Sequence, residues 1–262
     1  MTDLTWRSKV AAPLVILAIA LVAWQLSARA GWIPPYVLPA PTEIARRIFA
    51  SVPFLATHAL VTTVEILLGF GLATLIGIGL AIVVVYFPSF EASISPWLVV
   101  SQVIPKVAIG PLFMVWFGFG LLPKVVIAFL IAFFPILVDT VIGLKSVERE
   151  SVFLLQSMGA GRWKIFRYLL LPNALPNIFV GMKVGMTLAI VGAVVGEFVG
   201  ANQGLGYLLL YANGTMDSGL LFSALVVLSG LALLLYAIIG VLQMLCVSWH
   251  VSQRPDAGRS TM

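Results

Sequence analysis

The segment Ala59–Tyr86, with the sequence ALVTTVEILLGFGLATLIGIGLAIVVVY, is apolar almost throughout and contains one charged residue, Glu65. It is longer than the roughly 20 apolar residues that a helix needs to cross the hydrocarbon core of a bilayer. Lipid offers the backbone no hydrogen-bond partners, so a spanning segment must satisfy its own N–H and C=O groups, as a helix does. The residues do not alternate between apolar and polar as a barrel strand would. The segment therefore predicts a transmembrane α-helix.

Five further apolar runs repeat this pattern along the chain. They are Val10–Leu26, Ile94–Phe119, Leu121–Leu144, Ala174–Phe198 and Leu220–Trp249. The composition agrees, because 61% hydrophobic residues against 10% charged residues leave too little polar surface to cover a soluble fold. We therefore predict an all-α, polytopic membrane protein with six transmembrane helices.

Several classes of chemistry are disfavoured by the residues that the chain contains. A single cysteine, Cys246, cannot form an intramolecular disulfide, and two histidines, His58 and His250, are too few for a histidine metal cage. The chain has no G-x-x-x-x-G-K-[ST] loop to bind nucleotide phosphates, and neither H-E-x-x-H nor G-x-S-x-G to support an intramembrane hydrolase. The net charge of +5 is spread through apolar sequence, which does not favour nucleic-acid binding. We expect no metal, no cofactor and no enzymatic activity in this chain.

The distribution of Lys and Arg predicts the orientation, since cytoplasmic segments carry the excess of these residues. With the N-terminus inside, the inner segments hold Arg7, Lys9, Lys145, Arg149, Arg162, Lys164, Arg167, Arg254 and Arg259. The outer segments hold Arg29, Arg46, Arg47 and Lys124. Because the number of predicted spans is even, both termini are expected in the cytoplasm. The protein is expected to lie in the cytoplasmic membrane of a bacterium.

Two segments between the spans are long enough to have structure of their own. The outer segment, residues 31–53, contains a short surface helix at Glu43–Ala50, where apolar residues recur at helical spacing. The inner segment, residues 146–171, is predicted to form two short helices around the turn Gly159-Ala160-Gly161. We accordingly divide the chain into an N-terminal span with an outer interfacial helix, residues 1–57, and a transmembrane core, residues 58–262.

Ionisable residues inside spans cost roughly 2.5–3.5 kcal/mol at mid-membrane on insertion scales, so each is expected to find a partner or face water. The residues concerned are Glu65, Lys106, Asp139, Lys183 and Glu197. The topology places Asp139 and Lys183 at similar depth, which predicts a structural ion pair between them. Lys106 and Glu197 have no evident partner in the sequence, and we consider them candidates for the lining of a translocation path.

The inner loop contains motifs that resemble a known family. Gly159 is followed by Leu171-Pro172 at the spacing seen in the cytoplasmic coupling signature of ATP-binding-cassette (ABC) importer permeases. Other motifs extend the resemblance to the nitrate, sulfonate and taurine type of permease, namely Leu38-Pro39-Ala40-Pro41-Thr42, Ile104-Pro105-Lys106-Val107-Ala108, Trp116-Phe117-Gly118-Phe119-Gly120, Phe133-Phe134-Pro135, Ala174-Leu175-Pro176 and Val195-Gly196-Glu197-Phe198. Gly196-Glu197-Phe198-Val199 and Gly204-Leu205-Gly206-Tyr207 resemble the branch associated with thiamine-precursor pyrimidines and riboflavin.

The resemblance implies a type I importer permease fold and a definite set of partners. Two permease subunits, expected to be a homodimer, would form the path, two cytoplasmic ATPase subunits would bind the ATP, and an extracytoplasmic binding protein would deliver the solute. A heterocyclic vitamin precursor such as a pyrimidine or riboflavin is the favoured solute. An importer of sulfonate, taurine, nitrate or an aromatic acid is an alternative, and an ion-coupled secondary transporter is a more distant one.

The resemblance also implies that residues 146–171 couple the permease to the ATPase. The residues assigned to this role are Glu148, Glu150, Phe153, Leu154, Met158, Gly159, Arg162, Leu171 and Pro172. The Glu-Ala-Ala triplet typical of the family is replaced here by Phe153-Leu154-Leu155, so the pairwise contacts of the loop are left open. An apolar ridge on a cytoplasmic loop is costly to leave in water, which predicts that a groove of the ATPase receives it.

Overall fold

The structure, a computed structural model, describes residues 6–247 except 88, 90, 91, 94, 95, 97–99, 101 and 102, with side chains from Ala12 onward. Within this part of the chain every regular element is helical, which confirms the predicted all-α class. The α-helices are α1 (Trp6–Arg29), α2 (Pro41–Ala50), α3 (Val52–Tyr86), α4 (Gly110–Phe117), α5 (Leu121–Lys145), α6 (Arg149–Ser157), α7 (Arg162–Ile165), α8 (Leu171–Gly200), α9 (Leu205–Gly214) and α10 (Ser218–Cys246).

Five helical segments of the described chain are long and apolar enough to cross a membrane. They are Ala12–Arg29, Val52–Tyr86, Leu121–Lys145, Arg162–Gly200 and Ser218–Cys246. The chain is therefore a multi-pass membrane protein. Each segment extends beyond one end or both ends of its predicted apolar run, because helices continue into polar residues that hydropathy leaves out. The predicted last residue of the sixth run, Trp249, lies outside the described residues.

The predicted span Ile94–Phe119 is not one continuous helix in its second half, while several residues of its first half lie outside the described ones. The helix is interrupted at Ile104-Pro105, continues as a 3-10 turn over Lys106–Ile109 and then forms α4. Pro105 has no N–H to donate and disfavours helical geometry in the residue before it, which explains the break. Pro111 causes no kink, because it lies in the first turn of α4, where a missing N–H costs little.

The core consists of α3, α5 and α8, which approach one another at small residues. A Cβ atom added to Gly69 of α3 would lie 2.5 Å from the Cβ of Ala128 in α5, and one added to Gly192 of α8 would lie 2.6 Å from the Cα of the same alanine. Small residues let backbones approach in lipid, which explains why glycine and alanine lie at these contacts. Gly71 and Gly79 have no such neighbour and instead line an apolar groove of about 520 Å³ on the free side of α3.

The first helix lies at the periphery of the molecule. No residue of its spanning segment is buried within the chain. At the end predicted to be outer, its Trp24 ring lies 6.4 Å from that of Phe222 in α10, and its Gln25 Oε1 accepts the N–H of Thr42 at 3.1 Å. The short surface helix α2 is confirmed, and it begins at Pro41 rather than Glu43.

Candidate functional site

Residues 146–171 form the predicted pair of short helices at the end of the molecule opposite α2. Helix α6 ends in a Schellman turn, in which the N–H of Gly159 bonds to the carbonyl of Gln156 at 2.9 Å and the N–H of Ala160 bonds to that of Leu155 at 2.9 Å. Gly159 has φ +77°, a left-handed conformation that residues with a Cβ adopt at a cost. The glycine therefore fixes the direction in which the chain leaves α6.

Helix α6 has no buried residue, and the side chains of Phe153 and Leu154 face outward. Phe153, Leu154 and Met158, which we call the α6 ridge, are 63%, 63% and 74% exposed. Two aromatic residues that our sequence reasoning missed, Trp163 and Tyr168, are also exposed, at 69% and 73%. Their position among basic residues in a short loop was the available signal. Contiguous exposed apolar groups of this kind mark interaction surfaces.

Charged groups surround the α6 ridge. Glu148 occupies the N-cap position of α6 and Glu150 its first turn, where negative charge is favourable to the helix dipole. Arg162, Lys164 and Arg167 follow the glycine turn, and all three are exposed. The loop thus combines an apolar centre with a charged border, the usual composition of a protein interface.

The loop is tied to three core helices at its ends. The Tyr86 hydroxyl, at the end of α3, donates to the carbonyl of Arg162 at 3.4 Å, and the Tyr86 ring lies 5.9 Å from that of Phe166. At the end of α5, the Ser146 hydroxyl donates to the carbonyl of Gly143 at 2.8 Å and accepts from Asn173 Nδ2 of α8 at 2.7 Å. A displacement of the loop would therefore reach α3, α5 and α8 together.

Leu171 and Pro172 do not end the loop as predicted, because they lie inside one continuous helical segment, Arg162–Gly200. A π-helical turn at Phe166–Leu170 precedes them. Pro172 cannot donate to the carbonyl four residues earlier, and a π-helical turn accommodates such a defect without breaking the helix. The second half of the predicted loop is thus a rigid extension of α8.

A buried polar cluster lies at the other end of the core. Glu197 of α8 is 1% exposed and Thr62 of α3 is fully buried. The Thr62 hydroxyl donates to Glu197 Oε1 at 2.6 Å and accepts the N–H of Leu205 at 2.8 Å. Glu197 Oε2 accepts the N–H groups of Gly206 and, at 3.1 Å, of Tyr207. The free N–H groups at the start of α9 are therefore capped by side chains from α3 and α8.

Two glycines make this capping sterically feasible. Gly204 has φ +120° and donates its N–H to His58 Nδ1 at 3.0 Å. A Cβ added to Gly204 would lie 2.2 Å from the carboxyl carbon of Glu197, and one added to Gly206 would lie 2.8 Å from its Oε2. The sequence left Glu197 without a partner and suggested a path role, whereas the structure commits its carboxylate to the start of α9. His58 and Thr62 were not predicted as members of any site.

An ion pair extends the cluster toward α5. Lys124 Nζ bonds to Glu65 Oε1, with Glu65 fully buried and Lys124 only 6% exposed. Lys124, which the sequence assigns to the outer basic residues, lies in the first turn of α5. Beside the pair, a depression of about 400 Å³ is lined on its rim by Phe119, Asn202 and Gln203.

The predicted pair of Asp139 and Lys183 is not formed; the ion pairs among the described residues join Lys124 to Glu65 and Arg47 to Asp217. Gly181 of α8 faces Asp139, since a Cβ added there would lie 2.9 Å from the Cβ of Asp139. Lys183, two residues further along the helix, points away, because such residues are about 200° apart around the axis. Its ammonium lies 5.8 Å from the ring centre of Tyr236 in α10.

Comparison with known proteins identifies the family. Residues 73–249 match the model of the family described as the binding-protein-dependent transport system inner membrane component. The chain belongs to this family. The matched residues include the loop with the α6 ridge and the α8 and α9 parts of the buried cluster, which lie at opposite ends of the core.

Relatives of this permease are named for different solutes. The riboflavin transport system permease protein RibX of Chloroflexus aurantiacus is 40% identical over 91% of this chain and 90% of its own length. The formylaminopyrimidine transport permease protein ThiX of Halalkalibacterium halodurans is 36% identical over 92% of this chain and 96% of its own. The taurine transport system permease protein TauC of Escherichia coli is 27% identical over 89% of this chain and 88% of its own.

A solved structure shares the permease's fold. A chain of the MetNI methionine ABC transporter, in an inward-facing conformation, superposes with a TM-score of 0.63 at 21% identity, covering 74% of this chain and 96% of that chain. The resemblance to ABC importer permeases is therefore confirmed in both sequence and fold. Membership of this family decides against the ion-coupled secondary transporter.

Proposed function

We propose that this permease forms the path of an ABC importer for a heterocyclic vitamin precursor such as riboflavin or a pyrimidine. The proposal rests on its relatives, because those named for riboflavin and formylaminopyrimidine are 40% and 36% identical, against 27% for the one named for taurine. Import of a sulfonate, taurine, nitrate or an aromatic acid is the second candidate, which the more distant relatives support.

The proposed assembly contains two copies of this permease, two cytoplasmic ATPase subunits and an extracytoplasmic binding protein. The permease would lie in a bacterial cytoplasmic membrane with both termini and the α6 ridge in the cytoplasm. ATP would bind to the ATPase subunits, in keeping with the lack of a phosphate-binding loop in this sequence.

The observation that carries the proposed coupling is the exposed α6 ridge on a loop tied to the core. We propose that a groove of the ATPase receives this ridge as a helix, with Trp163 and the basic side chains at the border of the contact. Because the loop contacts α3, α5 and α8, closure of the ATPase pair would move the three core helices as a rigid body. Gly159 would set the angle at which α6 is presented.

Lys106 is proposed to lie along the path. It begins the 3-10 turn after the break at Pro105, and its ammonium lies over the Phe134 ring at 4.6 Å from the centre. A broken helix beside a cation is a suitable place for contact with a polar solute. Glu197 is not proposed for this role, since its carboxylate is fully used in the buried cluster.

The test compares Leu154→Asp with Met216→Asp in the complex purified with its ATPase and reconstituted with its binding protein. Met216 is 87% exposed and lies between α9 and α10, at the opposite end of the molecule, so its variant controls for added surface charge. Leu154→Asp should release most of the ATPase and abolish stimulated ATP hydrolysis, whereas Met216→Asp should retain both. In the unsubstituted complex, riboflavin or a pyrimidine should stimulate ATP hydrolysis and taurine should not.

Normal ATPase retention by Leu154→Asp would contradict the coupling role of the ridge. Stimulation by taurine alone would contradict the solute but leave the coupling intact. The two parts of the proposal therefore fail separately.

A further inference from the structure

A small polar pocket lies where the end of α1 meets the start of α2. Its volume is about 330 Å³, and its lining residues are Gln25, Arg29, Ala40, Thr42, Glu43 and Arg46. Within the described part of the chain, Arg29 and Arg46 form no salt bridge, although both line the same pocket. Both arginines therefore lie at one small volume without an ion-pair partner among the described residues.

The Gln25 side chain also lines this pocket. Gln25 uses its Oε1 to accept the N–H of Thr42, whereas its Nε2 is buried without a hydrogen-bond partner among the described residues. That amide group is buried in the protein, so the two arginines supply the donors that a ligand in the pocket can reach. Glu43 contributes one carboxylate, which leaves the pocket with a net positive charge when both arginines are counted.

Guanidinium pairs favour an anion with several oxygens in fixed geometry, as in phosphate or carboxylate groups. The surfaces around the pocket favour a phosphate over a carboxylate. The spanning part of α1 is apolar and unburied, with Leu14 and Leu26 both 60% exposed, so an apolar surface leads directly to the pocket. Helix α2 lies across the same end as an amphipathic surface helix. A ligand with aliphatic chains and a phosphate head satisfies both surfaces at once.

We infer that this pocket binds the phosphate of a glycerophospholipid whose acyl chains lie along α1. The lipid would join α1 to α2, which otherwise meet through the Gln25–Thr42 hydrogen bond and few other contacts. Glu43, which also lines the pocket, would then accept a hydrogen bond from the hydroxyl or ammonium group of the headgroup. This inference concerns the attachment of the first helix and is independent of the solute that the permease carries.

The test measures lipid binding to the full-length chain in detergent by native mass spectrometry. The probes are dioleoylphosphatidylglycerol and dioleoylglycerol, which carry the same chains with and without the phosphate. The variants are Arg29→Gln and Arg46→Gln, and the control is Arg47→Gln, the next residue of α2, whose side chain is exposed but paired with Asp217 at 2.9 Å. Each pocket variant should weaken phosphatidylglycerol binding about tenfold, the effect of one lost charged hydrogen bond, without changing dioleoylglycerol binding.

Two results would overturn the inference. Equal weakening by Arg47→Gln would show that phosphatidylglycerol responds to basic charge on this face rather than to the pocket. Equal binding of the two dioleoyl probes would show that the pocket does not recognise the phosphate of a lipid. All three arginines are exposed, so loss of binding through misfolding is controlled by comparing the melting temperatures of the variants.

Discussion

The ion pair of Glu65 and Lys124 shows how a single buried charge is accommodated in the core. The sequence identified Glu65 as a charge that needs a partner but did not identify the partner. Lys124 lies at the edge of an apolar run, and hydropathy does not distinguish the first turn of a helix from the loop before it. Only the packing of α3 against α5 brings the two residues together.

We expect Lys124→Met to lower stability by about 3–5 kcal/mol, because it leaves a buried carboxylate without its cation. Adding Glu65→Leu should restore most of that loss, since the double variant removes both charges. The matched control is Arg47→Met, which breaks an ion pair whose side chains are 49% and 36% exposed and should cost less than about 1 kcal/mol. Thermal unfolding in detergent provides the measurement. If the double variant lost as much stability as the two single variants together, the two side chains would not be energetically coupled.

Asp139 and Lys183 mark the limit of prediction at the same scale. The topology gave these two residues similar depths, and depth alone suggested a pair. Whether two side chains meet also depends on their direction around each helix axis, which is set here by the close approach of Gly181 to Asp139. A single sequence does not show how each helix is rotated about its axis in the packed protein. The helices were therefore predicted correctly, but the pairing of Asp139 with Lys183 was predicted wrongly.

Among the elements, α9 depends most clearly on its neighbours. A helix of 10 residues is marginal by itself, and the first N–H groups of α9 are capped by Thr62 and Glu197 rather than by its own sequence. The long apolar helices were predictable because the bilayer sets their minimum length and requires a helical backbone. The start of α9 was visible only as a glycine motif, and the break at Pro105 was indicated only by the proline itself, because hydropathy takes no account of a missing N–H.

Gly204→Ala is expected to release the start of α9 from the buried cluster. The added Cβ would clash with the Glu197 carboxyl group, and the left-handed conformation would cost a further 1–2 kcal/mol, roughly, for any residue with a Cβ. Hydrogen exchange at Leu205–Tyr207 should accelerate about tenfold or more. Gly214→Ala, at the other end of α9 where an added Cβ meets nothing within 4 Å, should leave these amides protected. Unchanged protection in Gly204→Ala would show that the cap is dispensable.

At the scale of the whole molecule, the two candidate regions occupy opposite ends of one three-helix core. The exposed loop with the α6 ridge lies where α3 and α5 end and α8 begins, and the buried cluster lies where α3 and α5 begin and α8 ends. The excess of basic residues in the segments on the loop side predicts that this end is cytoplasmic.

Cysteine labelling tests that orientation. In a Cys246→Ser background, a membrane-impermeant maleimide added to intact cells should label Arg46→Cys on α2. Arg162→Cys, equally exposed but beside the α6 ridge, should be labelled only after the cells are permeabilised. Labelling of Arg162→Cys in intact cells would reverse the orientation and place the ridge on the wrong side for an ATPase.

The absence of any buried residue in α6 has an evolutionary consequence. Phe153, Leu154 and Met158 are exposed among the described residues, so we expect a partner protein, rather than the core of the permease, to constrain these three positions. In a cell that makes several related importers, the ridge would serve as a recognition element that pairs each permease with its own ATPase. Exchanging residues 149–158 between two such permeases should then exchange their ATPase partners while leaving the transported compound unchanged.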